Sequence, residues 1–371
     1  MRLAVDCGLL PNIPVSGPFI EVIAVSEPEI LFENRGVVGL ITLNRPKSLN
    51  ALTLNMVQSM TAKLAEWADD PAVATVVVRG AGDRAFSAGA DIRAVRESGL
   101  AGTSYAEEFF RAEYALNALI KRYAKPYIAM VHGICMGGGL GLSVHGRYRV
   151  TGSSSIFAMP ETAIGFFPDV GGSYFLSRLP GQVGLYLGLT GARVKAADSL
   201  YLKLATHWVP SEYWDGVIEG MASGDDPADV LSEIARDLLP SAPISDRRVE
   251  IDRVFAGSSV EDILAVLDQD EEDEDEWSSS TAALLRGRSP TSLKLTYNEI
   301  RFGKTLSFEE CMRMEFRMVK RILEGKDFYE GVRAVLVDKD NAPKWDPPAL
   351  GDVSLDDIQS YFAPIEKELV L

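Results

Sequence analysis

An α/β fold follows from three features of this 371-residue chain. Short β-branched runs alternate with stretches of helical periodicity, and glycine-rich turns join them. The stretch ILFENRGVVGLITLNR, from Ile30, reads as a hairpin around Asn34-Arg35-Gly36. Thr53 then precedes a helix in which Met56, Val57, Met60, Leu64 and Trp67 recur at helical spacing. ATVVVRG (Ala74–Gly80) is a short buried strand. After AFSAGADI (Ala85–Ile92), Ser104 opens a second helix, with Glu107 three residues on as its capping-box partner. YIAMVHG (Tyr127–Gly133) is the next buried strand, and MGGGLGLSVHG turns from it into another helix.

Past about residue 180 the strand signals fade, and helical patterns broken at PGQ, VPSEYWDG and SGDDPAD take over. The acidic run DQDEEDEDEW (Asp268–Trp277) reads as a solvated loop or a frayed helix end. Residues 290–337 hold two or three amphipathic helices. The expected division is an N-terminal extension at 1–27, an α/β core at 28–205 and a mainly helical region at 206–371.

Thirty-seven Lys and Arg stand against 53 Asp and Glu, a net charge of −16. That excludes nucleic acid or an anionic membrane as the main partner, because phosphate binding needs a cationic footprint. Cys7, Cys135 and Cys311 are far apart, and His132, His145 and His207 form no ligand spacing with them. Neither a disulfide framework nor a zinc site is expected. The N-terminus has one Arg and an Asp inside its only apolar run, a poor signal or transit peptide. No apolar run reaches the roughly 20 residues of a membrane span. The expectation is a cytoplasmic protein with a loose N-terminal extension.

Four places could carry chemistry. The triplet Gly137-Gly138-Gly139 lets the backbone approach a ligand and aims N–H groups at it, or else serves close packing. The turn AFSAGADI could do the same, or simply connect strand to helix with Asp91 as the cap. Together the two turns suit an oxyanion, which is commonly held by two converging donors. Phe109, Glu113, Leu116 and Ile120 share one helix face, so Glu113 is either paired or lines a cavity. Finally, AMPETAIGFFPDVGGSYF places Glu161 and Asp169 eight positions apart, each after a proline and so outside a helix interior. No G-K-[ST] follows the glycine triplet, no G-x-S-x-G or strand-borne G-x-G-x-x-G is present, and His132 and His145 read as satisfied core histidines.

NRPKSLNAL (Asn44–Leu52), AFSAGADI, HGICMGGGLGLS (His132–Ser143) and PETAIGFFPDVGG (Pro160–Gly172), in that order, resemble the enoyl-CoA hydratase/isomerase (crotonase) superfamily. FFRAEYALN, SPTSLK and EGVRAVLVDKDNAPKW (Glu330–Trp345) are similar to its 3-hydroxyisobutyryl-CoA hydrolase branch. The resemblance implies a crotonase-like spiral of ββα units with a C-terminal helical region. It further implies hydrolysis of a small acyl-CoA thioester in valine breakdown, with no cofactor beyond the CoA carried by the substrate. Carried over by position, the oxyanion hole is the N–H groups of Ala88 and Gly138. Glu113, Gly138, Glu161 and Asp169 bind substrate, Glu161 acting as nucleophile or general base and Asp169 meeting the 3-hydroxyl. Lys47, Leu49, Ala51, Ala88, Ala90, Asp91 and Ile92 line the CoA path. Hydratases carry a first glutamate where this chain has Gly141, so the hydration pair is missing. Two alternatives stay open, another crotonase reaction and a non-catalytic acyl-CoA-binding scaffold, as does assembly into a homo-oligomer.

Overall fold

The β-branched runs form the strands, and they alternate with helices in a computed structural model that describes residues 27–235, 242–272 and 275–371. The hairpin β1 (Ile30–Arg35) and β2 (Val38–Leu43) turns at Gly36, whose φ of +56° glycine adopts without cost. Next comes α1 (Leu54–Asp69), opened by the Thr53 side chain accepting the Met56 N–H. There follow β3 (Thr75–Gly80), β4 (Ala85–Ser87), α2 (Ile92–Ala101), α3 (Tyr105–Lys121), β5 (Tyr127–Val131), β6 (Ile134–Met136) and α4 (Gly138–Ser143). Then β7 (Tyr148–Thr151), β8 (Ile156–Ala158), a 3₁₀ turn at Glu161–Ile164, α5 (Gly172–Leu176), α6 (Val183–Thr190), β9 (Val194–Lys195), α7 (Ala196–Tyr201) and β10 (His207–Trp208) complete the strand-bearing part.

Two sheets result. The larger runs β1-β2-β3-β5-β7-β10, parallel except for the β1–β2 hairpin. The smaller runs β4-β6-β8-β9, with only β9 antiparallel.

Beyond them the chain is helical: α8 (Trp214–Ala222), α9 (Pro227–Ile234), α10 (Pro243–Asp246), α11 (Arg248–Val254), α12 (Val260–Glu272), α13 (Glu276–Arg286), α14 (Pro290–Gly303), α15 (Phe308–Ile322), α16 (Asp327–Val332) and α17 (Leu355–Phe362). Side chains of the larger sheet alternate between two apolar cores, as a strand's two-residue period requires. Val76, Val78 and Ala129 join the main core, which also takes in α3, α14 and α15. Val77, Ile128 and Val150 instead pack beneath α8 and α9.

Two local expectations are corrected. Ser104 precedes α3 but caps nothing with its side chain, because its backbone is already helical (φ −76°, ψ −11°) and turns the hydroxyl away from the first turn. Reciprocal capping boxes stand instead at Ser307/Glu310 and Ser354/Asp357, where the capping residue is extended. The acidic run is the end of α12, Asp268–Glu272, followed by a corner into α13, so of the two expectations the helix end fits and the plain solvated loop does not. Asp268 and Asp270 pair with Arg286 and Arg253, and Asp275 caps α13; residues 273–274 lie outside the described residues.

Gly39 of β2 faces the indole of Trp67 on α1, and a Cβ there would lie 2.6 Å from the ring. A rigid, fully buried ring cannot yield, so Gly39→Ala should destabilise the fold by about 1–3 kcal/mol. Urea unfolding with an unchanged m-value is the check.

Candidate active site

Strands β4 and β6 are parallel neighbours, so the turns leaving their carboxyl ends emerge side by side. Gly89 (φ +93°) and Gly137 (φ +49°) make the approach possible. A Cβ on Gly89 would lie 2.8 Å from the Met136 carbonyl oxygen and 3.0 Å from the Gly138 nitrogen, and one on Gly138 would lie 3.4 Å from the Ala90 nitrogen. The amides of Ala90 and Gly138 are thus adjacent, and neither has an acceptor among the described residues. This corrects the donor pair expected from the sequence. The Ala88 N–H is already bonded to the Leu49 carbonyl at 2.9 Å, and the Gly89 N–H reaches Ser87 Oγ, so Ala90 supplies the free donor beside Gly138.

The two amides open into a cavity of about 700 Å³. Lys47, Leu49 and Ala51 border it from the segment before α1, and Ala88, Ala90, Asp91 and Ile92 from the turn before α2. Asp91 contributes backbone more than charge: its carboxylate pairs with Arg45 at 3.0 Å and accepts no N–H from α2, contrary to the capping role considered for it. Every other residue singled out from the sequence meets here too, since Glu113, Gly138, Glu161 and Asp169 all line the same space.

The three carboxyls come from separate elements. Glu113 projects from α3, is 1 % exposed, and has no hydrogen-bond partner on either oxygen, so it lines a cavity rather than joining a pair. Glu161 opens the 3₁₀ turn, is 7 % exposed, and leaves Oε2 without a partner. Asp169, 5 % exposed, accepts the Tyr114 hydroxyl at 2.9 Å. Burial, followed by the charges of Asp169 and Glu161, holds Glu113 well above the ordinary glutamate range. Glu161 is held high by burial and then by Asp169. Burial lifts Asp169 to about 7, against the pull of the Tyr114 hydrogen bond. The group therefore titrates as a unit and keeps protons at a pH where free carboxyls have lost them.

Position 141 is closed to a further acid. A Cβ on Gly141 would lie 2.8 Å from both Asn117 Nδ2 and Val170 Cβ, and Asn117 and Val170 are fully buried. Among the described residues no cluster of His, Cys, Asp and Glu could hold a metal ion. His145 is the satisfied core histidine expected, its Nε2 2.7 Å from the Val170 carbonyl oxygen. His132 departs from expectation, because its buried Nε2 has no partner.

Sequence reasoning missed several residues. Tyr114 lies off the stripe of Phe109, Glu113 and Leu116, and only the fold turns it toward Asp169, 55 positions away. Arg84, Arg93 and Lys339 place cations on the cavity wall of a strongly acidic chain. Val335 and Leu336 close it from a π-helical turn at Arg333–Val337, where Arg93 donates to the Leu336 carbonyl. The only signal for that wall was the resemblance of Glu330–Trp345, which assigned it no role.

Comparison with known proteins matches this architecture. The family model described as enoyl-CoA hydratase/isomerase matches residues 38–362. The chain is 45 % identical over 351 residues to a protein of Danio rerio named 3-hydroxyisobutyryl-CoA hydrolase, mitochondrial, covering 91 % of this chain and 90 % of that one. Its identically named human relative is 43 % identical, covering 90 % and 88 %. Among solved structures, a carnitinyl-CoA dehydratase from Mycobacterium thermoresistibile superposes with a TM-score of 0.87 at 40 % identity, covering 92 % of this chain and 98 % of that one. An enoyl-CoA hydratase from Rhodobacter sphaeroides gives 0.87 at 36 %, covering 93 % and 100 %. The cytoplasmic location expected from the N-terminal composition is overturned, because these curated relatives are named as mitochondrial. Residues 1–26, on which that expectation rested, lie outside the described residues. With its sheets, its paired glycine turns and a match over most of its length, the chain belongs to the enoyl-CoA hydratase/isomerase family.

Proposed function

We propose that this protein hydrolyses the thioester of 3-hydroxyisobutyryl-CoA to 3-hydroxyisobutyrate and CoA. One observation carries the reading: Glu161 and Asp169 share a buried cavity with two free amides, while position 141, packed against Asn117 and Val170, has no room for a second hydration acid. The names of the curated relatives point the same way.

In this reading the thioester oxygen sits between the N–H groups of Ala90 and Gly138. Each donor meets charge that develops on that oxygen, worth about 10²–10³ in rate. Glu161, in its ionised form, either deprotonates a water that attacks the carbonyl carbon or attacks it directly, the resulting mixed anhydride then being opened by water. On either route the C–S bond breaks, and CoA leaves as the thiolate. Glu113, whose carboxyl burial and the charges of Asp169 and Glu161 hold well above the ordinary range, faces the 3-hydroxyl and in its protonated form can both donate to and accept from it. Asp169 takes the other side of that hydroxyl, with Tyr114 fixing its second oxygen. Arg84, Arg93 and Lys339 supply cationic charge for the phosphates of CoA.

The solved structures of a dehydratase and a hydratase favour a second reading, water addition or removal at an enoyl-CoA. Gly141 opposes it, since adding water across the double bond asks for one carboxyl to deprotonate the water and a second to protonate the α-carbon.

The two readings part in one assay. With 3-hydroxyisobutyryl-CoA the wild type should release free thiol, and Glu161→Gln should lower that rate by about 10²–10⁴-fold. Loss of enoyl absorbance from crotonyl-CoA without thiol release would instead establish the second reading.

Stability should also carry the mark of the buried acids. Folding raises Asp169 from its ordinary 3.8 to about 7, so its contribution to stability is complete below the unfolded value and is lost as pH rises through about 7. Melting temperatures at about pH 5 and about pH 8.5 should therefore differ less in Asp169→Asn than in the wild type, by about 2–4 °C.

A further inference from the structure

The residues after Asp169 are strained. Val170 has φ +51° and Gly171 φ +85°, and a β-branched residue in the left-handed region costs of order 1–3 kcal/mol. Such a turn persists only where its surroundings over-determine it. Here Glu315 of α15 supplies much of that determination. Its Oε2 accepts the Gly171 N–H at 2.8 Å, and its Oε1 accepts the Ser173 N–H at 3.0 Å together with the Ser173 hydroxyl. Glu315 is fully buried, and no cation among the described residues pairs with it. A buried carboxylate without a counter-charge is a poor means of adding stability. Among the described residues, all of its hydrogen-bond partners belong to the turn that follows Asp169, 146 positions earlier in the chain. The next residue, Phe316, packs edge-on against the Tyr114 ring, 6.2 Å between centroids, and Tyr114 is the donor to Asp169.

We propose that Glu315 is a positioning residue for Asp169, holding the left-handed Val170–Gly171 turn so that the Asp169 carboxyl faces the cavity. The proposal rests on the hydrolase reading for its consequence in rate, and on the geometry of the turn alone for its structural part. Glutamine at 315 offers one accepting oxygen and one donating face, so either the Gly171 amide or the Ser173 pair loses its acceptor.

The test is a double-mutant cycle on thiol release, joined to hydrogen exchange by mass spectrometry over residues 169–173. Glu315→Gln should lower kcat by about 10–100-fold with KM changed by less than about threefold. In an Asp169→Asn background it should cost less than about twofold more, because both changes act through one carboxyl. Exchange of the Gly171 and Ser173 amides should quicken in Glu315→Gln. Wild-type kcat with unchanged exchange would overturn the proposal, as would penalties that multiply in the double variant. Should Glu315→Gln fail to fold, Ser173→Ala removes one donor and takes its place, with an expected loss of about 2–10-fold and the same coupling to Asp169. A wild type that releases no thiol sinks the hydrolase reading by itself, and the exchange comparison then decides whether Glu315 holds the turn.

Discussion

Everything in the cavity is arranged around the approach of two backbones. The turns at Gly89 and Gly137-Gly138 come so close that no Cβ would fit between them. Only parallel neighbours such as β4 and β6 deliver two chain directions to one edge with this alignment. The amides of Ala90 and Gly138 are therefore held by the sheet itself, with no side-chain rotamer to order before an oxyanion is met. Carboxyls from α3, from the 3₁₀ turn and from the turn before α5 then enclose the space in front of them.

That enclosure is unfavourable for the fold. Glu113 and Glu161 keep oxygens without partners at positions where an apolar side chain would pack more cheaply. Unpartnered buried acids gather in the cavity, the concentration of broken local rules expected of a functional site, while Glu299 of α14 keeps both of its oxygens without a partner outside it. Strands alternate between two apolar cores, and α15 and α17 open on reciprocal capping boxes.

The helical part after the sheets is integral to the site. Val335 and Leu336 form part of its wall, while Glu315 and Phe316 reach the residues around Asp169 from behind. The cavity is thus shaped by elements more than 140 positions apart, several of which are also seated in the main core.

Much of this was legible in the residues. Periodicity located β3, β5, α1 and α3, and glycine runs marked the two turns, because both signals arise from local backbone geometry. The acids at 113, 161 and 169 stood out since charge in apolar company is rare. Position 88 against 90 was not legible: which amide of a turn is free depends on whether Leu49 takes its neighbour's hydrogen. Nor was the failure of Ser104 to cap, which hangs on one ψ angle. The sequence by itself determined the class of fold, the family and the presence of buried acids. Only the tertiary structure decided which N–H groups stay unbonded, that Tyr114 and Glu315 attend Asp169, and that Asn117 and Val170 shut position 141. Those are properties of pairs far apart in the chain, and no local pattern encodes a distance across the fold.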